Sequence, residues 1–308
     1  EPCVSGNKVT VKQVRSNYYR LNSKGQKILQ PDSLFVIEAW VEVSDNGRVV
    51  SDTYRFRTGG VNDLPSEGEL NTELHKFAEY LRTQCRAEAV AEKYSGPVLY
   101  MGDEAVNVLR RSFLNSIHSC NYKDLGIQVY PSFINVNLIG GDSIYKGVKL
   151  FNYHQVDADG QQPKSASIIE KGVLKRKLAG WFSTAGCLES IGNSVFARIG
   201  GRLRVQPGVF VIHMQSNKGV SYKKLYKELL KSAETKGLDH AYIVRGSRTA
   251  PCELVRVDVS TGEEKIIYGR VGYPDTSFGA LRIDGVSKDE IIYTGIGNEY
   301  DFVSPNTV

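Results

Sequence analysis

Tyr94-Ser-Gly-Pro-Val-Leu-Tyr-Met-Gly-Asp-Glu-Ala-Val-Asn-Val-Leu-Arg-Arg-Ser-Phe-Leu-Asn115 is the stretch on which the fold reading turns. Pro97-Val-Leu-Tyr-Met101 is short and apolar with a glycine on either side, the pattern of a buried strand. Gly102-Asp103 breaks it. Asp103 is a plausible cap for a following helix, whose inner face is Val106, Leu109, Phe113 and Ile117 at three- and four-residue spacing. A strand that feeds a helix through one glycine puts the first turn of that helix at a strand end, where a site can be built.

Toward the carboxy terminus the pattern is mostly strand. Gly126–Tyr130 and Phe133–Ile139 are strand-like runs separated by Pro131-Ser132. Ser167–Lys175 is a tight hairpin turning through Glu170-Lys-Gly172. Val209–Met214 and His240–Gly246 are buried strands. Between them Ser221 starts a helix with Leu225, Leu229, Leu230 and Ala233 on its apolar face. Glu253–Tyr268 is a hairpin turned at Ser260-Thr-Gly262, and Asp157-Ala-Asp-Gly160 reads as a turn. Its glycine comes too early for a calcium loop, and no glutamate closes one.

Toward the amino terminus, residues 8–57 read as antiparallel strands. Asn22-Ser-Lys-Gly25 and Asp45-Asn-Gly47 are their turns, and Asn-Gly is the strongest short hairpin signal. A helix follows, with Leu70, Leu74, Phe77, Ala78, Leu81 and Cys85 on one stripe and His75 beside it as a partly buried structural residue. Hairpin-joined strands with a few amphipathic helices predict an α+β fold of mainly antiparallel sheet. Two regions are expected, 1–95 and 96–308.

Composition narrows the function. The chain is 41% hydrophobic and 24% charged, ordinary for a globular protein. No apolar run approaches the ~20 residues of a membrane helix. Net charge is +5. The densest basic spots, Lys171–Lys177 and Lys223–Lys231, lack a motif that would mark a nucleic-acid interface, so none is expected. Cys3, Cys85, Cys120, Cys187 and Cys252 are scattered, with no CxxC pair. The first residues do not form a signal peptide and do not begin with Met, so a processed or trimmed amino terminus is expected and export stays open.

Several stretches, in order, resemble the TldD/PmbA family, whose members are called modulators of DNA gyrase and include metalloproteases. Gly96-Pro-Val-Leu99 and its helix are similar to the family's active-site strand and helix. Val156-Asp-Ala-Asp-Gly160 followed by Ile168-Ile-Glu-Lys-Gly-Val-Leu-Lys175 resembles "DDEG … LIENGVLKG". Ser190-Ile-Gly-Asn193 stands where the family has "STGN". Gln206-Pro-Gly208 with Val211, the helix from Ser221 to Leu230, and Asn17 with Asn22-Ser-Lys-Gly25 extend the match over most of the chain. The family's amino-terminal lobe has little counterpart here.

The resemblance implies a helix bearing His-Glu-x-x-x-His, two zinc ligands and a base that activates water. The matching window is Arg110-Arg-Ser-Phe-Leu-Asn115, so Arg110 and Asn115 replace the ligands and Arg111 replaces the base. Two permanent cations repel a divalent ion, and an amide binds zinc poorly. The family's third ligand, a late cysteine, corresponds to Cys252. The resemblance therefore implies a non-catalytic, PmbA-type protein that holds peptide and pairs as a homodimer or with a TldD-type subunit, without a cofactor and in the cytoplasm. Two alternatives stay open. A rearranged zinc peptidase would use His118, Cys120 and Cys252. An anion-binding module would use Arg110 and Arg111, since guanidinium groups grip carboxylates and phosphates in bidentate fashion.

Overall fold

Long alternating strands need a second layer on one face, and the first part of the chain meets that need with its first helix. In the computed structural model, residues 4–21, 23, 25–90, 93–119, 124–179, 190–199, 202–246, 252–277, 279–293 and 301–308 are described. Strands β1 (Val4–Leu21), β2 (Lys27–Asp45) and β3 (Arg48–Thr58) form an antiparallel meander. The β2–β3 turn takes positive φ at Asn46 and Gly47, the geometry Asn-Gly supplies. Residues 22 and 24 of the β1–β2 turn lie outside the described residues, but the strands on either side pair up to Leu21↔Lys27. Helix α1 (Glu67–Arg86) lies on this sheet, packing Phe77, Leu81 and Cys85 against Ala39, Val41, Val43, Val50 and Tyr54. Its start is a capping box. The Ser66 hydroxyl accepts from the Glu69 amide, and Glu69 accepts from the Ser66 amide at 2.8 Å. His75 is exposed rather than partly buried, because the stripe turns it toward solvent.

Most of the remaining strands build two larger sheets around the second helix, and four others pair into two short two-stranded ribbons. In chain order they are β4 (Glu88–Ala89), β5 (Val98–Gly102), α2 (Asp103–Ser119), β6 (Ile134–Leu138), β7 (Ile144–Tyr145), β8 (Val148–Lys149), β9 (Ala166–Glu170) and β10 (Val173–Leu174). Then come β11 (Ser194–Ile199), β12 (Arg202–Pro207), β13 (Val211–Ser216), α3 (Tyr222–Thr235), β14 (His240–Gly246), β15 (Glu253–Asp258), β16 (Glu264–Tyr268), β17 (Glu290–Tyr293) and β18 (Asp301–Pro305). One sheet has the order β4-β16-β15-β14-β5, the other β10-β9-β6-β13-β18-β17. Most pairs are antiparallel, with parallel exceptions at β5/β14, β4/β16 and β13/β18. The fold is α+β.

Alternation along β14 explains the layering. Tyr242 and Val244 face α2, while Ala241 and Ile243 face α3. Helix α3 thus covers one face of the first sheet through Leu225, Leu229 and Ala233. Helix α2 sits between that sheet and the second, burying Val106, Leu109, Phe113 and Ile117 against Ile134, Ile169, Ile212, Met214 and Phe302. Both helices match their sequence patterns, with two local differences. Asp103 is the first residue of α2 rather than its cap. Ser221 stands at the cap position of α3, but its side chain makes no capping bond. Gly126–Tyr130 is not a regular strand. It runs beside β10 through the Gly126 N–H to Leu174 and the Val129 N–H to Gly172, and a single bridge, Gln128↔Val173, forms. Among the described residues no helix is long and apolar enough to cross a membrane.

Candidate functional site

The junction between β5 and α2 is tight. Gly102 has φ +61°, and a Cβ there would stand 2.2 Å from the Gly246 carbonyl oxygen on the neighbouring strand. Glu104 lies against Gly246 and is buried. From Glu104 a polar stripe runs along α2 through Asn107, Arg111 and Asn115. At about 100° per residue these positions fall within about 80° of one another. Arg110 is turned about 100° from Arg111 and points away from the stripe.

A segment from far along the chain, Gly272–Ser277, lies over this stripe. The Tyr273 ring stacks on Tyr100, with centroids 6.4 Å apart and planes 8° apart. Its hydroxyl donates to the Glu104 carboxylate, whose other oxygen accepts from the Asn107 amide at 3.2 Å. The Arg111 guanidinium sits 4.5 Å from the Tyr273 ring centroid. One turn on, the Asn115 amide donates to the Thr276 carbonyl at 3.0 Å and to its hydroxyl at 3.2 Å. Arg110 instead lies 5.7 Å from the ring centroid of Tyr293 on β17. The two arginines therefore lie over the rings of different tyrosines.

Cys252, just before β15, comes close to the same place. It is exposed, its carbonyl accepts from the Tyr80 hydroxyl at 2.8 Å, and its electrostatic neighbours include Glu104, Tyr100 and Tyr273. Protein crowded around the thiol, then the Glu104 carboxylate, push its pKa up to about 12 against the opposing pull of Arg270. These surroundings favour the protonated form of the thiol. Burial and then Glu104 push Tyr100 up to about 12, and burial followed by the Glu104 hydrogen bond raises Tyr273 as well. These hydroxyls are donors.

A zinc ion does not fit the helix positions that the resemblance assigns to it. Arg110, Arg111 and Asn115 offer two cations and an amide already bound to Thr276. Cys120 and the His118 side chain lie outside the described residues. Among the described residues no three His, Cys, Asp or Glu side chains gather in a group that would hold a metal.

Two other polar clusters complete the picture. Asp157 is fully buried and accepts from the amides of Asp159, Gln161 and Ser194 at 2.8, 2.8 and 2.9 Å. Asp159 takes the Arg20 guanidinium and the Ser194 hydroxyl, tying the tip of the β1–β2 hairpin to the second region. The turn at Asp157–Gly160 is thus a structural joint. Asn193 belongs to the same joint, its amide donating to the Gly208 carbonyl at 3.1 Å. The second cluster joins the β7–β8 hairpin to the long sheet. Glu290 holds His213 at 2.9 Å and Lys146 at 2.6 Å, and accepts from Tyr145 at 3.2 Å. Burial works against the Glu290 charge, yet Lys146 and His213 hold its carboxyl below the usual glutamate range.

No family sequence model and no curated protein sequence matches this chain. Solved structures do. A candidate modulator of DNA gyrase from Thermotoga maritima superposes with a TM-score of 0.63 at 15% identity, over 99% of this chain and 68% of that one. TldE from Thermococcus kodakarensis gives 0.55 at 15% identity, over 93% of this chain and 64% of TldE. The chain has the TldD/PmbA-like fold. A second candidate modulator of DNA gyrase, from Bacteroides thetaiotaomicron, gives 0.55 at 14% identity, over 87% of this chain and 58% of that one. At these identities the likeness is one of fold, and the chain spans 58% to 68% of the lengths of these TldD/PmbA-like structures. Several of the stretches that carried the resemblance do structural work in this chain. They include the Asp157 joint, the β9–β10 hairpin with positive φ at Lys171 and Gly172, and the Asn193 joint.

Sequence reasoning singles out Arg111, Asn115 and Cys252, which the structure places near the Gly272–Ser277 segment, and does not single out Glu104, Asn107 or Tyr273. The Glu104–Asn107–Arg111–Asn115 periodicity was a readable signal. Tyr273 had none, since its segment has no regular pattern.

Proposed function

We propose that this chain is a TldD/PmbA family member that has lost the family's zinc hydrolysis and holds extended peptide along the polar stripe of α2. On this reading it pairs as a homodimer or beside a TldD-type subunit that supplies the chemistry. The single observation that carries the reading is the state of the three helix positions. Where hydrolysis needs two imidazoles and a carboxylate, the chain has Arg110, Arg111 and Asn115. Arg111 and Asn115 now engage an aromatic ring and a backbone carbonyl, the groups a peptide presents. Arg111 contributes a flat cation for rings, Asn115 a donor for a peptide carbonyl, and Glu104 an acceptor for a hydroxyl or amide.

Elemental analysis of the purified protein, with fluorescence anisotropy of labelled unstructured peptides, tests this reading. The expected result is substoichiometric zinc and saturable binding that weakens at least tenfold in Asn115→Ala. Stoichiometric zinc that disappears in Cys252→Ser would overturn it in favour of a rearranged peptidase. Light scattering at micromolar concentration, alone and mixed with a TldD-type protein, tests pairing. A strict monomer in both samples removes that part.

A further inference from the structure

We propose that Gly272–Ser277 is a self-bound strap that occupies the peptide-holding stripe of α2, and that the stripe selects segments carrying a tyrosine three residues before a carbonyl it can grip. The inference rests on the peptide-holding reading and adds both a specificity and a regulatory state to it.

Four contacts make the case. Tyr273 is 45% exposed, so its ring lies on the helix rather than in a core. It is nevertheless held on Tyr100, by Arg111 and, through its hydroxyl, by Glu104. Asn115 spends its amide on the Thr276 carbonyl and hydroxyl. Three of the four partners, Glu104, Arg111 and Asn115, come from the one stripe of α2, and Tyr100 comes from the strand that feeds it; each engages a feature any Tyr-x-x-Thr segment carries. The interval from Tyr273 to Thr276 spans the helix from Glu104 to Asn115, eleven residues and about 16 Å at 1.5 Å per residue. Three residues of strap reach about 10 Å at most in their backbone, and the length of the tyrosine side chain makes up the difference. The strap therefore runs lengthwise along the helix, from Glu104 to Asn115. Asp275 fixes its bend, accepting from the Ser277 amide at 2.9 Å and from the Ser277 hydroxyl. Because the strap is tethered, it acts at a high effective concentration, on the order of millimolar for a short linker, and a free peptide must displace it.

The test uses a fluorescein-labelled peptide with the strap's own sequence, Arg-Val-Gly-Tyr-Pro-Asp-Thr-Ser, and the whole chain. Tyr273→Ala/Thr276→Ala unlatches the strap without touching the helix, removing the ring, the Glu104 bond and the Thr276 hydroxyl and leaving the Asn115 bond to the residue-276 carbonyl as the remaining hold. We expect the unlatched chain to bind the peptide at least tenfold tighter than the unsubstituted chain. Replacing the peptide's tyrosine with alanine, or adding Arg111→Ala to the unlatched chain, should abolish that gain. Tyr273→Phe keeps the ring and loses only the Glu104 bond, so it should fall between the two. This milder variant keeps the question answerable if the double variant fails to fold. Equal binding by unlatched and unsubstituted chains overturns the strap. If both also bind a scrambled peptide equally well, peptide holding survives without it. If neither binds any peptide, both readings fall.

Discussion

Two polar clusters in this molecule look alike in composition and differ in closure. Around Asp157 both carboxylate oxygens are spent on backbone amides, and Asp159 is spent on Arg20 and Ser194. Around Glu104 the partners are a tyrosine hydroxyl, an asparagine amide and an arginine that leans on a ring, all under an exposed strap. The first cluster satisfies buried backbone groups that would otherwise be orphaned, so it is architecture. The second is made of side chains that a different segment could satisfy equally well, so it has the properties of a site. Burial of the groups on the far side of each hydrogen bond separates the two cases, not the kind of residue.

The comparison can be broken most sharply at Asp157. Asp157→Ala strands two buried amides and a half-buried one and should cost about 3–5 kcal/mol, read as a fall in the urea midpoint. A loss below about 1 kcal/mol would mean that water or a rearranged turn takes over, and the joint would not be a joint. An intermediate effect is expected at Glu290, whose cluster is partly closed. Its folded pKa is depressed, so its contribution is complete above the ordinary glutamate pKa of about 4.5 and is lost as pH falls below that value. The urea midpoint of Glu290→Gln should accordingly be flatter between pH 5 and pH 3 than that of the unsubstituted chain. Parallel curves would remove Glu290 from the acid response. The smallest stability effect is expected at the candidate site. Arg111→Ala gives up an exposed cation–ring contact and should cost about 0.5–1 kcal/mol while sharply weakening peptide binding. A large loss of stability there would place α2's stripe with the architecture.

The frame was legible to different degrees. The Asn46-Gly47 and Lys171-Gly172 turns announced their hairpins because few residues tolerate positive φ. The three helices announced themselves because burial on one face imposes a 3.6-residue period. Gly126–Tyr130 looked like a strand by composition, yet beside the two-residue β10 only one bridge forms. The capping box at Ser66 and Glu69 was present in the sequence and passed over, although the spacing carries its own mechanism.

By itself the sequence determined the α+β class, the strand–glycine–helix unit at Val98–Ser119, and that Arg110, Arg111 and Asn115 are not residue types that ligate zinc. These follow from local periodicity and from what side-chain types can and cannot bind. Only the tertiary structure decided that Arg110 turns to Tyr293 while Arg111 and Asn115 turn to Tyr273 and Thr276. Some 160 residues separate Asn115 from Thr276. A contact between segments that far apart leaves no periodic trace in either one, so it appears only when the folded sheets bring them to the same helix.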